Sequence, residues 1–327
     1  MADLLLYLGL LFIGFLLGSR LIYKKDKFSF VGKIQTVCIF FLVFTMGTRM
    51  GSNREIIDNL KTIGLSALLF TVVIFILVVL FLHITRKALR MNSTGDLVEK
   101  GETKKEKTKV KFELNKMTVL VVLAVLLGML FGFYVILNLV ESGKIFGGDI
   151  LRFSDLASNL IRIELCFLLF FVGIDLGFSK GAFSNIKKVG LRILVFPLVT
   201  IIASLIGGVI SSLVLGLTIK EGLMIAAGFG WYSLAPGLIM DAGYITASAI
   251  AFLHNVLREM TAILFIPFVA NGIGFIETIG LPGAAAMDVC LPVIEKATKP
   301  EVAIYGFISG VILSFLVPIV VPLIISL

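Results

Sequence analysis

Residues 41–65 read FLVFTMGTRMGSNREIIDNLKTIGL, and residues 167–191 read FLLFFVGIDLGFSKGAFSNIKKVGL. At a constant offset of 126, Phe41, Leu42, Phe44, Gly47, Gly51, Asn59, Lys61, Gly64 and Leu65 recur as Phe167, Leu168, Phe170, Gly173, Gly177, Asn185, Lys187, Gly190 and Leu191. Each copy holds the end of one apolar segment, a short polar turn and the start of the next. Chance likeness between apolar stretches explains the polar pairs Asn59/Asn185 and Lys61/Lys187 poorly. An odd number of membrane crossings between the copies turns one upside down relative to the other, an arrangement characteristic of secondary transporters.

Working outward, the 327 residues are 58% hydrophobic and 15% charged, with a mean hydropathy of +1.08. A soluble domain holds about 45–50% apolar and about 25% charged residues. Apolar runs close to the ~20 residues needed to cross a bilayer recur along the chain. This predicts an all-α polytopic membrane protein, since the alternating ~10-residue segments of a β-barrel are missing. Leu4 to Leu17 has no basic residues before it and carries its positive charge after it, so it reads as a retained first helix. The net charge of +8 lies in loops, where it sets topology rather than binding nucleic acid. Cys38, Cys166 and Cys290 lie far apart with no CxxC pair, so they read as free core residues. No metal or cofactor motif is present.

Charge bias then orders the spans. A first helix over Leu4–Gly18 precedes a loop carrying Arg20, Lys24, Lys25, Lys27 and Lys33 against Asp26 alone, which is cytoplasmic by its charge. The N-terminus is therefore outside. A helix over Ile34–Met46, an outer turn and a helix over Ile63–Leu82 complete a first unit, residues 1–84. Thr85 to Lys116 holds ten Lys/Arg and five Asp/Glu and reads as a disordered cytoplasmic linker, 85–116. A second unit, 117–218, places helices at Met117–Leu137, Leu160–Val172 and Val189–Leu215, with an external loop over 141–159 and Pro197 as a kink. Its turn carries Lys180, Lys187, Lys188 and Arg192 against Asp175 and is cytoplasmic. Charge bias and crossing parity agree on a 3+3 inverted-topology repeat.

Residues 219–327 have no counterpart in these units and form the transport core. In Gly222–Gly243, the breakers Gly228, Gly230, Pro236 and Gly237 interrupt an apolar run around Trp231, Tyr232 and Ser233. Backbone freed at membrane depth must face protein or a water-filled cavity. Residues 251–270 place His254, Asn255, Arg258 and Glu259 inside an apolar helix. Asn255 and Glu259 share a face, and Arg258 pairs with Glu259 or snorkels. A charge at the bilayer centre costs about 2.5–3.5 kcal/mol, which marks a retained one as functional. A second broken segment, 271–300, carries Asp288 between small residues and prolines. Glu259 and Asp288 thus form a candidate pair able to attract a cation and to exchange protons. Asp175 and Asp241 are secondary candidates near helix ends.

GFGWYSLAPG (228–237), NVLREMTAIL (255–264), GAAAMDVCLPV (283–293) and LFFVGIDLG (169–177) resemble the LysO-type lysine exporter family, and the likeness covers nearly the whole chain. The resemblance implies export of L-lysine, with thialysine or a related cationic amino acid as further cargo. It also implies eight full spans, both termini outside, and an intramembrane acidic pair matching Glu259 and Asp288. An Asn-Asp pair is expected where this chain has His254-Asn255, and the linker is longer and more basic than the family pattern.

The leading expectation is a proton-coupled exporter of a cationic amino acid in the cytoplasmic (inner) membrane of a prokaryote. A sodium-coupled or organic-anion carrier stays open, although the embedded charge is mainly acidic. An intramembrane enzyme finds no HExxH or GxSxG motif. Breaks around paired carboxylates suit occlusion better than an open channel.

Overall fold

Backbone groups in hydrocarbon must be satisfied within their own segment, so long apolar runs fold as helices. The computed structural model describes residues 2–21, 30–92, 116–178, 191–287 and 289–327, and no strand occurs among them. The helices are α1 (Ala2–Leu21), α2 (Phe30–Gly51), the short α3 (Arg54–Asp58), α4 (Leu60–Ala88) and α5 (Lys116–Phe131). A π-helical stretch, Gly132–Leu137, carries α5 into α6 (Asn138–Glu141). Then follow α7 (Ile150–Phe178), α8 (Val195–Leu215), α9 (Ile219–Ala226), α10 (Ala235–Asp241), α11 (Ile245–Gly272), α12 (Leu291–Ala297) and α13 (Pro300–Ser326).

Among the described residues, seven helical stretches are long and apolar enough to cross a bilayer: Phe30–Gly51, Leu60–Ala88, Val119–Glu141, Ile150–Asp175, Arg192–Leu215, Ile245–Gly272 and Glu301–Ser326. At 20 residues, α1 spans about 30 Å and is an eighth helix of that reach. On α4, Ile63, Ala67, Phe70, Ile74, Val78 and Leu82 are buried while Leu65, Leu68, Val72 and Ile76 are exposed. A helix apolar on both its inner and outer faces suits a lipid surround. The chain is a multi-pass membrane protein.

Two helix crossings hold the first two thirds together. Gly14 and Gly18 of α1 meet Gly173 and Gly177 of α7, and Gly47 and Gly51 of α2 meet the Gly128 and Gly132 region. All four are G-x-x-x-G pairs, which let backbones approach where no hydrophobic effect drives association. A Cβ on Gly47 would sit 2.5 Å from the Val125 carbonyl oxygen, so nothing larger than hydrogen fits. The helix opening each sequence unit therefore crosses the second helix of the other unit.

Several boundaries differ from expectation. The predicted external loop over 141–159 is largely helix, because α7 begins at Ile150 rather than Leu160. Asp149 accepts the Leu151 N–H at 2.9 Å, and Phe153, Ala157, Ile161 and Leu165 form a buried four-residue stripe. The polar residues between them occupy the outer faces, so charge counting mistook an amphipathic helix for a loop. α4 runs to Ala88, six residues past the expected Leu82, because Arg86 finds a partner inside the protein. Pro197 falls in the first turn of α8, where a missing N–H costs nothing, and so makes no interior kink. Most of the expected linker, 93–115, and the second turn copy, 179–190, lie outside the described residues.

Replacing Gly47 or Gly173 by valine is expected to lower stability by about 1–3 kcal/mol through overpacking, read as an earlier unfolding midpoint in detergent micelles. An unchanged midpoint would show that these helices part without cost.

Candidate transport site

Thr218 opens α9 with a capping box: its hydroxyl accepts the Glu221 N–H at 3.2 Å, and the Glu221 carboxylate accepts the Thr218 N–H at 2.9 Å. α9 runs back along α8, with Gly222 against Gly208 and Ser212. Its eight residues rise about 12 Å, less than half of a ~30 Å hydrocarbon layer. The chain turns between Gly228 and Leu234, and α10 returns over seven residues, with Pro236 near its start. The first broken segment is thus a re-entrant hairpin. The second descends from Ile273 through short 3-10 turns, Ile276–Thr278 and Gly283–Met287, and returns through α12. Both broken segments are re-entrant, and neither adds a crossing.

The two tips meet. The Ala284 N–H donates to the Phe229 carbonyl at 2.8 Å. Phe229 and Gly230 carry positive φ, 45° and 95°, and Gly283 stands at 65°. Gly283 faces the Phe229 carbonyl so closely that any Cβ would collide with it. α11, packed against both hairpins, fastens each tip near its own midpoint. Asn255 Oδ1 accepts the Gly230 N–H at 2.7 Å, and its Nδ2 donates to the Ala251 carbonyl. Arg258 donates through Nε to Leu281 O at 3.0 Å, through Nη2 to Gly280 O at 3.1 Å and through Nη1 to Ser204 Oγ at 3.3 Å. Arg258 therefore neither pairs with Glu259 nor snorkels. Two hairpin carbonyls and the Ser204 hydroxyl take three of its five donors, and it is 2% exposed.

Glu259, one residue on, lines a cavity of about 370 Å³ beside the tips. Trp231, Tyr232 and Ser233 of the first hairpin form one wall, and Ala284, Ala285 and Met287 of the second form another. Trp231 Nε1 donates to Ser233 Oγ at 3.0 Å. Asp288 lies outside the described residues, but Met287 and Val289 on either side of it both line the cavity. Gly32, Gln35 and Thr36 of α2 and Asp175 of α7 extend the cavity to the helix ends next to segments 22–29 and 179–190. Asp175 is exposed there.

Other predicted positions serve different contacts. Asn255 is buried behind the tip and is not a cavity wall. His254 is fully buried, its Nδ1 3.0 Å from Thr71 Oγ1, tying α11 to α4. Asp241 is not solvated as a helix end suggests: it accepts Tyr7 OH at 2.7 Å and lies 3.9 Å from Arg162 Nε.

Sequence reasoning passed over three interior charges, Glu277 and Arg49 buried and Glu164 half-buried. Glu277 is fully buried and takes His83 Nδ1 and Arg86 Nε, each at 2.8 Å, joining α4 to the base of the second hairpin. Glu164 accepts Thr45 Oγ1 at 2.9 Å between α7 and α2. Arg49 is 7% exposed and donates to the Met240 carbonyl at 2.9 Å. Each stands in or beside an apolar run, and that was the available signal.

Arg258→Met is expected to strand the Leu281 carbonyl and leave Gly280 O with the Gly283 N–H alone, costing about 1–3 kcal/mol for the unsatisfied group. Arg258→Lys rescues only part, because an ammonium lacks the planar fork. The check is thermal unfolding of purified protein beside a transport assay. Wild-type unfolding in both variants would contradict the fastening role.

The chain matches the family model described as lysine exporter LysO over residues 8–98 and 122–325. The unmatched 99–121 fall largely in the charged segment. It is 29% identical over 328 residues to the lysine exporter LysO of Escherichia coli (strain K12), covering 98% of each chain. It is 35% identical over 173 residues to a putative lysine exporter of Haemophilus influenzae, covering 52% of this chain and 85% of that protein. No solved structure matches. Glycine-paired spans around two facing re-entrant hairpins are thus the fold of an amino-acid export transporter, and the chain belongs to the lysine exporter LysO family.

Proposed function

We propose that this protein exports L-lysine, with thialysine or a related cationic amino acid as further cargo, across the inner membrane in exchange for protons. The observation that carries the reading is a carboxylate, Glu259, 1% exposed, on the wall of a cavity between two hairpin tips. In a low-dielectric cavity a carboxylate attracts the cationic side chain strongly. Asp288, flanked by two lining residues, supplies the second acid. Tyr232 and Ser233 offer hydroxyls, and Trp231 an aromatic face. The volume of about 370 Å³ lies within the roughly 300–1,000 Å³ range of small-molecule sites.

Substrate and proton compete for the same acids, so loading one releases the other, which is the simplest physical basis of antiport. The helix ends at which the cavity emerges adjoin the basic segments 22–29 and 179–190, cytoplasmic by charge bias. The cavity is then open to the side from which an exporter loads, with both termini outside and Asp175 at its mouth. The offset of 126, together with the crossed glycine pairs, supports an inverted repeat of residues 1–84 and 117–218. Each re-entrant hairpin is followed by one full span, and the two hairpins enter from opposite sides, in keeping with an inverted arrangement of the core as well.

Cells lacking their own lysine exporters and loaded with a lysyl dipeptide provide the test. Expression of the chain is expected to restore lysine efflux. Glu259→Gln and Asp288→Asn should each slow efflux at least about tenfold, equivalent to ~1.4 kcal/mol. In proteoliposomes, an imposed pH gradient should drive lysine movement. Efflux that survives both substitutions would place the site elsewhere, and movement driven by sodium alone would overturn the proton coupling.

A further inference from the structure

We propose that a second cavity, at the opposite end of the pathway, is an exit site in which Arg49 takes the α-carboxylate of the departing amino acid. The inference rests on the exporter reading above. This cavity of about 470 Å³ is lined by Arg49, Ser52, Asn53, Glu141, Phe153 and Ser154, among others. It sits where α2 ends and α7 begins, the side predicted to be external.

Arg49 is the unusual member. Its side chain is buried, Nη1 donates to Met240 O, and Nε is buried with no acceptor. Among the described side chains no carboxylate lies within 4.0 Å of it. Asp155 and Asp241 act on it only at longer range, and Asp241 is already engaged by Tyr7 and Arg162. Arg54, in the same cavity, is exposed and paired with Glu141 at 2.6 Å, so it is not an equivalent site. A buried guanidinium with no carboxylate in contact is costly, and its planar fork matches a carboxylate in two parallel bonds. The exported amino acid carries such a group.

The repeat strengthens the assignment. At the offset of 126, Arg49 in GTRMG corresponds to Asp175 in GIDLG. Each lies between the glycines of its own helix crossing, and each lines a cavity at its own end. One repeat position thus carries an acid where the cation enters and a base where the amino acid leaves. Met240, bonded to Arg49, belongs to α10, whose other end leads to the Trp231–Ser233 tip. A carboxylate arriving at Arg49 competes with the Met240 carbonyl and so loosens the arm that separates the two cavities.

The experiment times lysine efflux from loaded cells while L-lysine or L-lysinamide, which lacks the carboxylate, is added outside. For the parent chain, lysine is expected to slow efflux at a concentration at least about tenfold below that of lysinamide, the worth of one charge-assisted hydrogen bond. Arg49→Gln should raise the lysine concentration needed by a similar factor and leave lysinamide where it was, with Arg49→Lys in between. Efflux from the parent that is slowed equally by both compounds overturns the exit site but leaves the exporter reading standing. The parent comparison decides this even if a variant fails to fold. No lysine efflux from the well-expressed parent overturns the exporter reading and the exit site with it.

Discussion

Everything in the core depends on the rule that backbone polar groups away from water must find partners. Two chain reversals at membrane depth free a set of N–H and C=O groups that no helix can satisfy. The protein answers by setting the reversals tip to tip, so that Ala284 N–H meets Phe229 O, and by running one span past both. Asn255 and Arg258, three residues apart, then reach one tip each. The next residue, Glu259, faces the cavity.

The helices, both breaks and the acidic candidate in α11 were legible because each follows from local chemistry: apolar length, Gly and Pro clusters, and an ionisable residue in an apolar run. What was not legible depends on distant chain. Arg258 looked like a partner for its neighbour Glu259, since main-chain carbonyls at 280 and 281 leave no mark in sequence. Glu277 has partners 191 and 194 residues away, a separation no spacing rule reaches. Asp241 looked like a wet helix end because its burial is made by α1 and α7. The start of α7 was missed for a different reason: polar residues on the outer face of a helix raise the charge count of a window just as a loop does.

Glu277 shows how a charge persists in a nonpolar setting. It receives His83 and Arg86 from the end of α4, so the base of the second hairpin is moored to the first unit by ionic contacts. The first hairpin is moored near its tip by neutral contacts, Ser248 Oγ to Pro236 O and Asn255 to Gly230, and at the end of α10 by charged ones, Arg49 to Met240 O and Asp241 to Tyr7 and Arg162. Ionic contacts respond to salt and to protonation, whereas the neutral set does not. Both hairpins are tied to the surrounding spans at their bases by charged side chains.

The contact between the tips has a consequence for how such a protein can diversify. Its central bond runs from main chain to main chain, and the pins behind it come from α11, not from the cavity wall. Trp231, Tyr232, Ser233 and Met287 therefore shape the space without making the bond that joins the tips. Selection can exchange these side chains for others while the main-chain bond between the tips remains. Descendants of one fold can in this way vary the lining of a cavity without first breaking the contact that closes it.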